Sequence, residues 1–248
     1  MLLRLQTFLA RGGVASRRAA EALIAGGQVA VNGATVTAMG VKIDPERDVV
    51  TVGGRRVLLP AGHVYYAYHK PRGLLVTRRD ERGRETIFDR LPDTARRLVA
   101  VGRLDRDSEG LLLLTDDGPW AQRIAHPSSG IEKEYHVLVG GNVSTAVLEL
   151  LTSGVEVEPG VVLRADTADK IAARNHQTLL RLVLHEGRKR HIRLLLGALG
   201  FNVLVLRRER IGPVTLGRLK PGRLRRLRPA ELNALERPAQ PPEGGRTR

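Results

Sequence analysis

The stretch that most constrains this chain is Val101 to Gly118, V-G-R-L-D-R-D-S-E-G-L-L-L-L-T-D-D-G. Four consecutive leucines, Leu111 to Leu114, leave no polar face, so they fit a strand buried on both sides and bounded by turn residues. The polar cluster ahead of them, from Arg103 to Glu109, must then be a loop fixed to the core. A loop held this way keeps the geometry that a reacting group requires.

A chain of 248 residues with 42% apolar composition can bury one large or two modest cores. No apolar run reaches the ~18 residues of a membrane span, and the start lacks the pattern of a signal peptide. The expectation is therefore a soluble, unexported, cytoplasmic protein. The absence of cysteine excludes disulfides, thiolate metal sites and a Cys nucleophile. The formal charge is +15, and Gly187 to Arg228 holds thirteen Lys or Arg against the single acidic Glu209. Such a focused surface favours a polyanion, with nucleic acid ahead of an acidic membrane or protein surface. Aromatics are only 3%, too few for a broad stacking platform.

Along the chain, residues 3–11 have helical spacing and Gly12-Gly13 ends them. Ser16 can cap a second helix with Ala19, Ala20, Leu23 and Ile24 as its buried stripe, and Arg17 and Arg18 fall in its first turn. Cations there oppose the helix dipole, so a compensating anion is expected, against two solvated arginines. Asn32-Gly33, between alternating runs at 28–31 and 34–37, signals a tight hairpin, and Gly53-Gly54 a second reversal. This order of elements, with R-x-x-x-x-L-A-R-x-G-V-A-S-R-R and V-x-V-N-G, resembles the RNA-binding module named after small-subunit ribosomal protein S-four.

Residues 60–63 read as a linker. Beyond it, strands are expected at 64–69, 74–77 and 98–101, and a helix capped by Asp117 that carries Trp120 and Ile124 and stops at Pro127. A strand at 132–139, a helix at 144–151, a strand from Gln177, and a helix bearing Ile192, Leu195, Leu196 and Leu199 follow. Arg188, Lys189 and Arg190 stand at that last helix's start, where backbone N-H groups also face phosphate. Further strands are expected at 204–210, 214–219 and 224–228, and residues 238–248 read as a disordered tail. The domain reading is 1–59, the linker 60–63, and a second domain over 64–237. The fold class is α+β: a small helix and hairpin domain, then a mixed, largely antiparallel sheet with flanking helices.

Three readings of the central loop compete. One is a polar turn whose carboxylates are merely solvated. A second is calcium binding, because Asp105, Asp107, Glu109, Gly110 and Asp116 follow an EF-hand-like spacing; Leu113 at position nine and strand-like flanks weaken it. The third is catalytic, and it rests on a resemblance. G-R-L-D-R-D-S-E-G-L-L-L-L-T is very similar to the signature of ribosomal-RNA pseudouridine synthases. H-K-P-R-G at 69–73, H-P-x-x-x-I-E-K-E-Y at 126–135, E-G-R-K-R-H-I-R at 186–193 and R-I-G-P-V-T-L-G from 210 agree with the same family.

That resemblance implies isomerisation of one uridine in ribosomal RNA, without cofactor or metal, on the pseudouridine synthase fold. It identifies Asp105 as the reacting carboxylate, either nucleophile at C1' or base at C2'. It implies that Tyr135 stacks on the flipped base, Arg193 pairs with and aims the Asp105 carboxylate, and Arg103 helps fill the gap left by the base. Arg17, Arg18, Lys70, Arg188, Lys189 and Arg190 are the expected RNA contacts, with Lys70 and Lys133 read as backbone contacts or solvated cations. Lys189, His191 and Leu194 depart from the N-R-Q-V-R-R of many large-subunit members, and Ser108 stands where Thr is usual. The G-V-x-V-x-x-G segment at 154–160 and I-G-P-V-T-L-G lean toward large-subunit RNA, and a monomer is expected. The alternative is a non-catalytic RNA-binding assembly factor that keeps the fold.

Overall fold

The computed structural model describes residues 2–78 and 80–237, so the expected tail at 238–248 lies outside the described residues. The chain divides into two compact units, Met1–His63 and Val64–Arg248.

In the first unit β1 (Leu3–Arg4) runs straight into α1 (Leu5–Arg11), followed by α2 (Arg17–Ala25). The Ser16 hydroxyl caps α2 by accepting from the Ala19 amide at 3.2 Å. The buried stripe is narrower than its spacing predicts: Ala20 and Ile24 are buried, Leu23 partly so, and Ala19 is exposed. Then come β2 (Val29–Val31), β3 (Ala34–Thr35), β4 (Lys42–Ile43), β5 (Val50–Val52) and β6 (Arg55–Arg56). The sheet order is β3-β2-β5-β6, while β4 pairs with β1. Asn32 and Gly33 both have positive φ, 53° and 85°, as the tight turn between β2 and β3 requires. The Asn32 side chain also fastens the next connection, accepting from the Val49 amide and donating to Asp48, each at 2.8 Å.

The second unit begins with β7 (Tyr65–Lys70), α3 (Ile87–Arg90), β8 (Val99–Val101), β9 (Glu109–Thr115) and α4 (Gly118–Ala125). It continues through β10 (Lys133–Gly140), α5 (Thr145–Ser153), β11 (Val155–Glu158), β12 (Val161–Leu163), β13 (Thr167–Arg174) and β14 (Gln177–Leu184). It closes with α6 (His191–Ala198), β15 (Val203–Ile211), β16 (Val214–Thr215), β17 (Leu224–Arg226) and α7 (Pro229–Glu236). The main sheet has the order β13-β14-β10-β15-β9-β7-β17, with β16 on β15 and β8 on β9. Its pairings are antiparallel except where β15 meets β9.

The four leucines of β9 are fully buried, in two directions. Leu111 and Leu113 pack with Trp120 and Ile124 of α4, whereas Leu112 and Leu114 pack with Tyr68, Ile87 and Leu98. Each buried leucine contributes about 2 kcal/mol, so β9 is strongly held from both faces. In β10 the alternation is strict: Tyr135, Val137 and Val139 turn inward and pack with Ile192, Leu195 and Leu196 of α6.

Several expectations fail locally. Residues 74–77 make only a single bridge, Leu75 to Thr86, because the Leu75 amide donates to Glu85 and its carbonyl accepts from Ile87. The strand from Val214 stops at Thr215. Strand β13 carries no apolar alternation and is almost wholly exposed; its backbone ladder to β14 forms it. Helix α7 was also unexpected, and its Glu231 is buried between Arg225 and Arg228.

Candidate active site

The loop from Gly102 to Ser108 joins β8 to β9, and four clamps fix it. The first is the strand entry. Gly110 sits opposite Arg208 in the parallel β9 to β15 pairing and has φ +106°. A Cβ there would lie 2.3 Å from the Arg208 carbonyl oxygen and 2.6 Å from its nitrogen, so the close approach requires glycine. The second is a turn, in which Ser108 N-H donates to the Asp105 carbonyl at 3.1 Å and Gly73 N-H to that of Arg106 at 2.7 Å.

The third clamp is Lys70, and it corrects an expectation. Lys70 is fully buried, so it is no surface contact for RNA phosphate. Its ammonium lies beneath the loop and donates to the carbonyls of Ser108 at 2.7 Å, Pro71 at 3.0 Å and Arg106 at 3.4 Å. Burial pushes its pKa down to about 8, opposed by the charges of Asp107, Asp105 and Glu109.

Arg193 of α6 holds the same loop from the other side. The expected partner was Asp105, but the guanidinium reaches Asp107: Nη2 lies 3.1 Å from the Asp107 carbonyl and 3.2 Å from its carboxylate. Nη1 donates to the Val203 carbonyl at 3.2 Å. The tight turn between Asp105 and Ser108 explains the difference, since it directs Asp107 back onto α6. Burial lowers the Arg193 pKa, while Asp107, and Asp105 after it, raise it. Arg190 adds a longer contact to Asp107, 3.8 Å.

Asp105 is thereby left in the wall of a cleft of about 780 Å³, which Arg103, Tyr135, Lys133 and Arg208 also line. Arg103 is exposed, whereas Tyr135 is buried at 8% exposure. Lys133 is not a solvated cation. Its ammonium donates to the carbonyls of Ile131 and His185, both at 2.9 Å. Burial, with the charge of Arg208 adding to it, pushes its pKa down to about 8. Arg188, Lys189 and Arg190 are exposed and border the same cleft, while Arg17 and Arg18 are exposed in the first unit. The calcium spacing does not form a loop. Asp116 follows the far end of the seven-residue β9, about 20 Å of strand from the polar cluster, and it accepts from the Val64 amide.

The sequence reading missed Arg208. The residue is 4% exposed, its Nε donates to the Leu111 carbonyl at 2.7 Å, and its guanidinium lies 6.0 Å from the Tyr135 ring centre. The buried positions of β15 are Val203, Leu206, Arg208 and Ile211, which break strict alternation, so no periodic signal in the sequence marks Arg208 as inward. A loop held by four clamps, one carboxylate in its wall and an aromatic ring in the same cleft can hold a flat base beside a sugar carbon. Such a site suits chemistry on an extruded nucleotide.

Comparison with known proteins agrees with this geometry. The model of the RNA pseudouridylate synthase family matches residues 64–198, and that of the S4 domain matches residues 3–49. A Mycobacterium bovis protein called an uncharacterized RNA pseudouridine synthase is 45% identical, over 94% of this chain and 92% of its own length. The ribosomal large subunit pseudouridine synthase B of Bacillus subtilis is 38% identical, over 94% of this chain and 95% of its own. A crystal structure of a pseudouridylate synthase superposes with a TM-score of 0.63 and 29% identity, over 94% of this chain and 99% of that one. The chain is a member of the RNA pseudouridylate synthase family, with an S4 domain preceding its synthase region.

Proposed function

We propose that this protein converts one uridine of large-subunit ribosomal RNA to pseudouridine, with Asp105 as the reacting carboxylate. The observation that carries the assignment is Asp105, held on a clamped loop in the cleft that Tyr135 lines. The RNA class is supported by the name of the Bacillus subtilis relative. In the reaction the bond from C1' to N1 breaks, the base turns, and C5 bonds to C1'; C5 then loses a proton and N1 gains one. No water enters, so a single carboxylate suffices where a glycoside hydrolase uses a pair. Asp105 acts either as nucleophile at C1' or as base at C2'.

Tyr135 stacks on the extruded uracil, a contact worth roughly 1 to 3 kcal/mol, and Arg103 enters the gap left in the RNA. Arg193 acts on Asp105 indirectly, by holding Asp107 and so the turn between them. Arg188, Lys189 and Arg190 at the cleft, and Arg17 and Arg18 in an N-terminal domain of residues 1–59, contact phosphates. A linker at 60–63 joins that domain to the catalytic domain at 64–237. The protein works without a cofactor, as a cytoplasmic monomer, the simplest form for approaching a large RNA. Among the described residues no helix is long and apolar enough to cross a membrane.

The test is to map pseudouridine in ribosomal RNA from cells lacking the protein and from cells carrying Asp105→Asn. One large-subunit site should vanish in both. If every site persists in both strains, the proposal fails; a site lost only from small-subunit RNA would overturn the RNA class alone.

A further inference from the structure

Arg208 is a buried cation with no matching anion among the described residues. Its Nε is used by the Leu111 carbonyl, but its Nη2 is buried and has no hydrogen-bond partner among the described residues. No carboxylate among the described residues lies within ion-pair distance of it. Leaving a guanidinium unpaired at 4% exposure is costly, so the site is incomplete until something negative enters. Both ends of the side chain are fixed: its backbone packs on Gly110, and its Nε is tied to β9. It lines the cleft with Asp105 and Tyr135, and its charge acts on the half-buried Lys133.

The reaction produces such an anion. When the bond from C1' to N1 breaks, its electron pair stays with the ring, so uracil is released as an anion whose charge spreads over N1, O2 and O4. This holds whether Asp105 takes C1' as nucleophile or removes the C2' proton, so the need for a cation is independent of that choice. We propose that Arg208 is a catalytic residue that binds the detached uracil anion, its guanidinium donating to a ring oxygen while the base turns above Tyr135. When C5 attacks C1', the pair used for the new bond comes from the ring; the bond from Asp105 to C1' breaks, or in the other route C2' regains its proton from Asp105, and N1 takes a proton as C5 loses one. The anion, and the strong contact with Arg208, exist only between those two bond changes. Stabilisation confined to that interval lowers the barrier without tightening ground-state binding. A phosphate is the less fitting occupant. Arg188, Lys189 and Arg190 already offer exposed cations around the cleft, whereas Arg208 is buried next to the aromatic ring.

The inference rests on the proposed isomerisation, and the experiment separates the two. The full-length protein and its Arg208→Lys and Arg208→Gln variants would be assayed in single turnover on matched RNAs carrying uridine or 5-fluorouridine at the target. Fluorine withdraws electrons, making the ring a better leaving anion that depends less on the protein. Arg208→Gln should consume uridine on the order of a hundredfold more slowly, the usual cost of one preorganised donor, and 5-fluorouridine less than tenfold more slowly, with RNA affinity unchanged. Arg208→Lys should recover part of the loss. An equal loss on both RNAs, or weakened RNA binding with turnover intact, would overturn the assignment, the latter result pointing to a phosphate contact. If the variants do not fold, the unaltered protein gives the answer: 5-nitrouracil, anionic at neutral pH, should bind at least tenfold more tightly than neutral uracil, and equal binding would refute the idea. A wild-type protein that forms no pseudouridine would instead refute the proposed function.

Discussion

Lys70 offers a stability test whose sign runs against the usual one for a buried cation with partners. Its pKa lies near 10.5 in the unfolded chain and is pushed down to about 8 by burial in the fold. Above pH 8 the unfolded chain therefore holds a proton that the folded protein has released. Stability then rises with pH across this window, because the unfolded state binds more protons. The burial penalty is fully present below pH 8 and is relieved as pH climbs toward 10.5. Between pH 7 and 9.5 the gain attributable to Lys70 is about 2 kcal/mol, taking 1.36 kcal/mol per tenfold change in the proton equilibrium. Urea unfolding of the native protein and of Lys70→Met, followed across that range, isolates the term as their difference. Stopping at pH 9.5 avoids Tyr65 and Tyr68, which burial raises to about 12 and which oppose folding once their unfolded forms ionise. At pH 7 Lys70→Met should cost roughly 1 to 3 kcal/mol, since it strips donors from three carbonyls while removing a buried charge. A difference between the two proteins that stays flat from pH 7 to 9.5 would show that the ammonium is not desolvated in the fold.

Four other variants probe the loop and the RNA contacts. Gly110→Ala should destabilise the synthase unit by on the order of 4 kcal/mol, because its Cβ would sit 2.3 Å from the Arg208 carbonyl; a melting temperature within a few degrees of native would contradict the close strand approach. Arg193→Met should lower single-turnover rates by roughly tenfold to a hundredfold at unchanged RNA affinity, and Asp107→Asn should retain more activity because the Asp107 carbonyl still accepts; equal rates for Arg193→Met and the native protein would sever Arg193 from the site. Arg17→Ala with Arg18→Ala should weaken RNA binding and reduce the salt slope by about 1 to 2, leaving turnover of bound RNA intact, so an unaltered slope would remove both residues from the RNA contacts.

What the sequence disclosed depends on how local each cause is. Ser16 and Asp117 cap helices whose first turns lie beside them, and Asn32-Gly33 makes its turn from its own two φ angles, so all three are visible in a short window. The leucines of β9 are similar, since an unbroken apolar run has no solvent side to offer. Strand β13 is the opposite case: T-A-D-K-I-A-A-R has no alternation, and only the edge of β14 makes it a strand. The same contrast divides the site. Asp105 could be singled out by resemblance, but the partner of Arg193 could not, because it depends on which way the turn from Asp105 to Ser108 faces α6.

Lys70 and Arg208 show the same contrast at the reacting loop. In sequence each is one more cation in a chain of charge +15, and charge counting assigns both to RNA. Folding buries both beside the loop, one among carbonyls and the other with a donor unused. The difference arises from strand register. β7 ends at Lys70 opposite Gly110, and β15 presents Arg208 to the same Gly110 from its other edge. Gly110, having no side chain, lets the Arg208 backbone approach the point where the loop enters the sheet. The glycine of the central stretch is therefore as consequential as its aspartate: its bare backbone admits Arg208 where the loop that carries Asp105 enters the sheet, and so into the cleft that Asp105 lines.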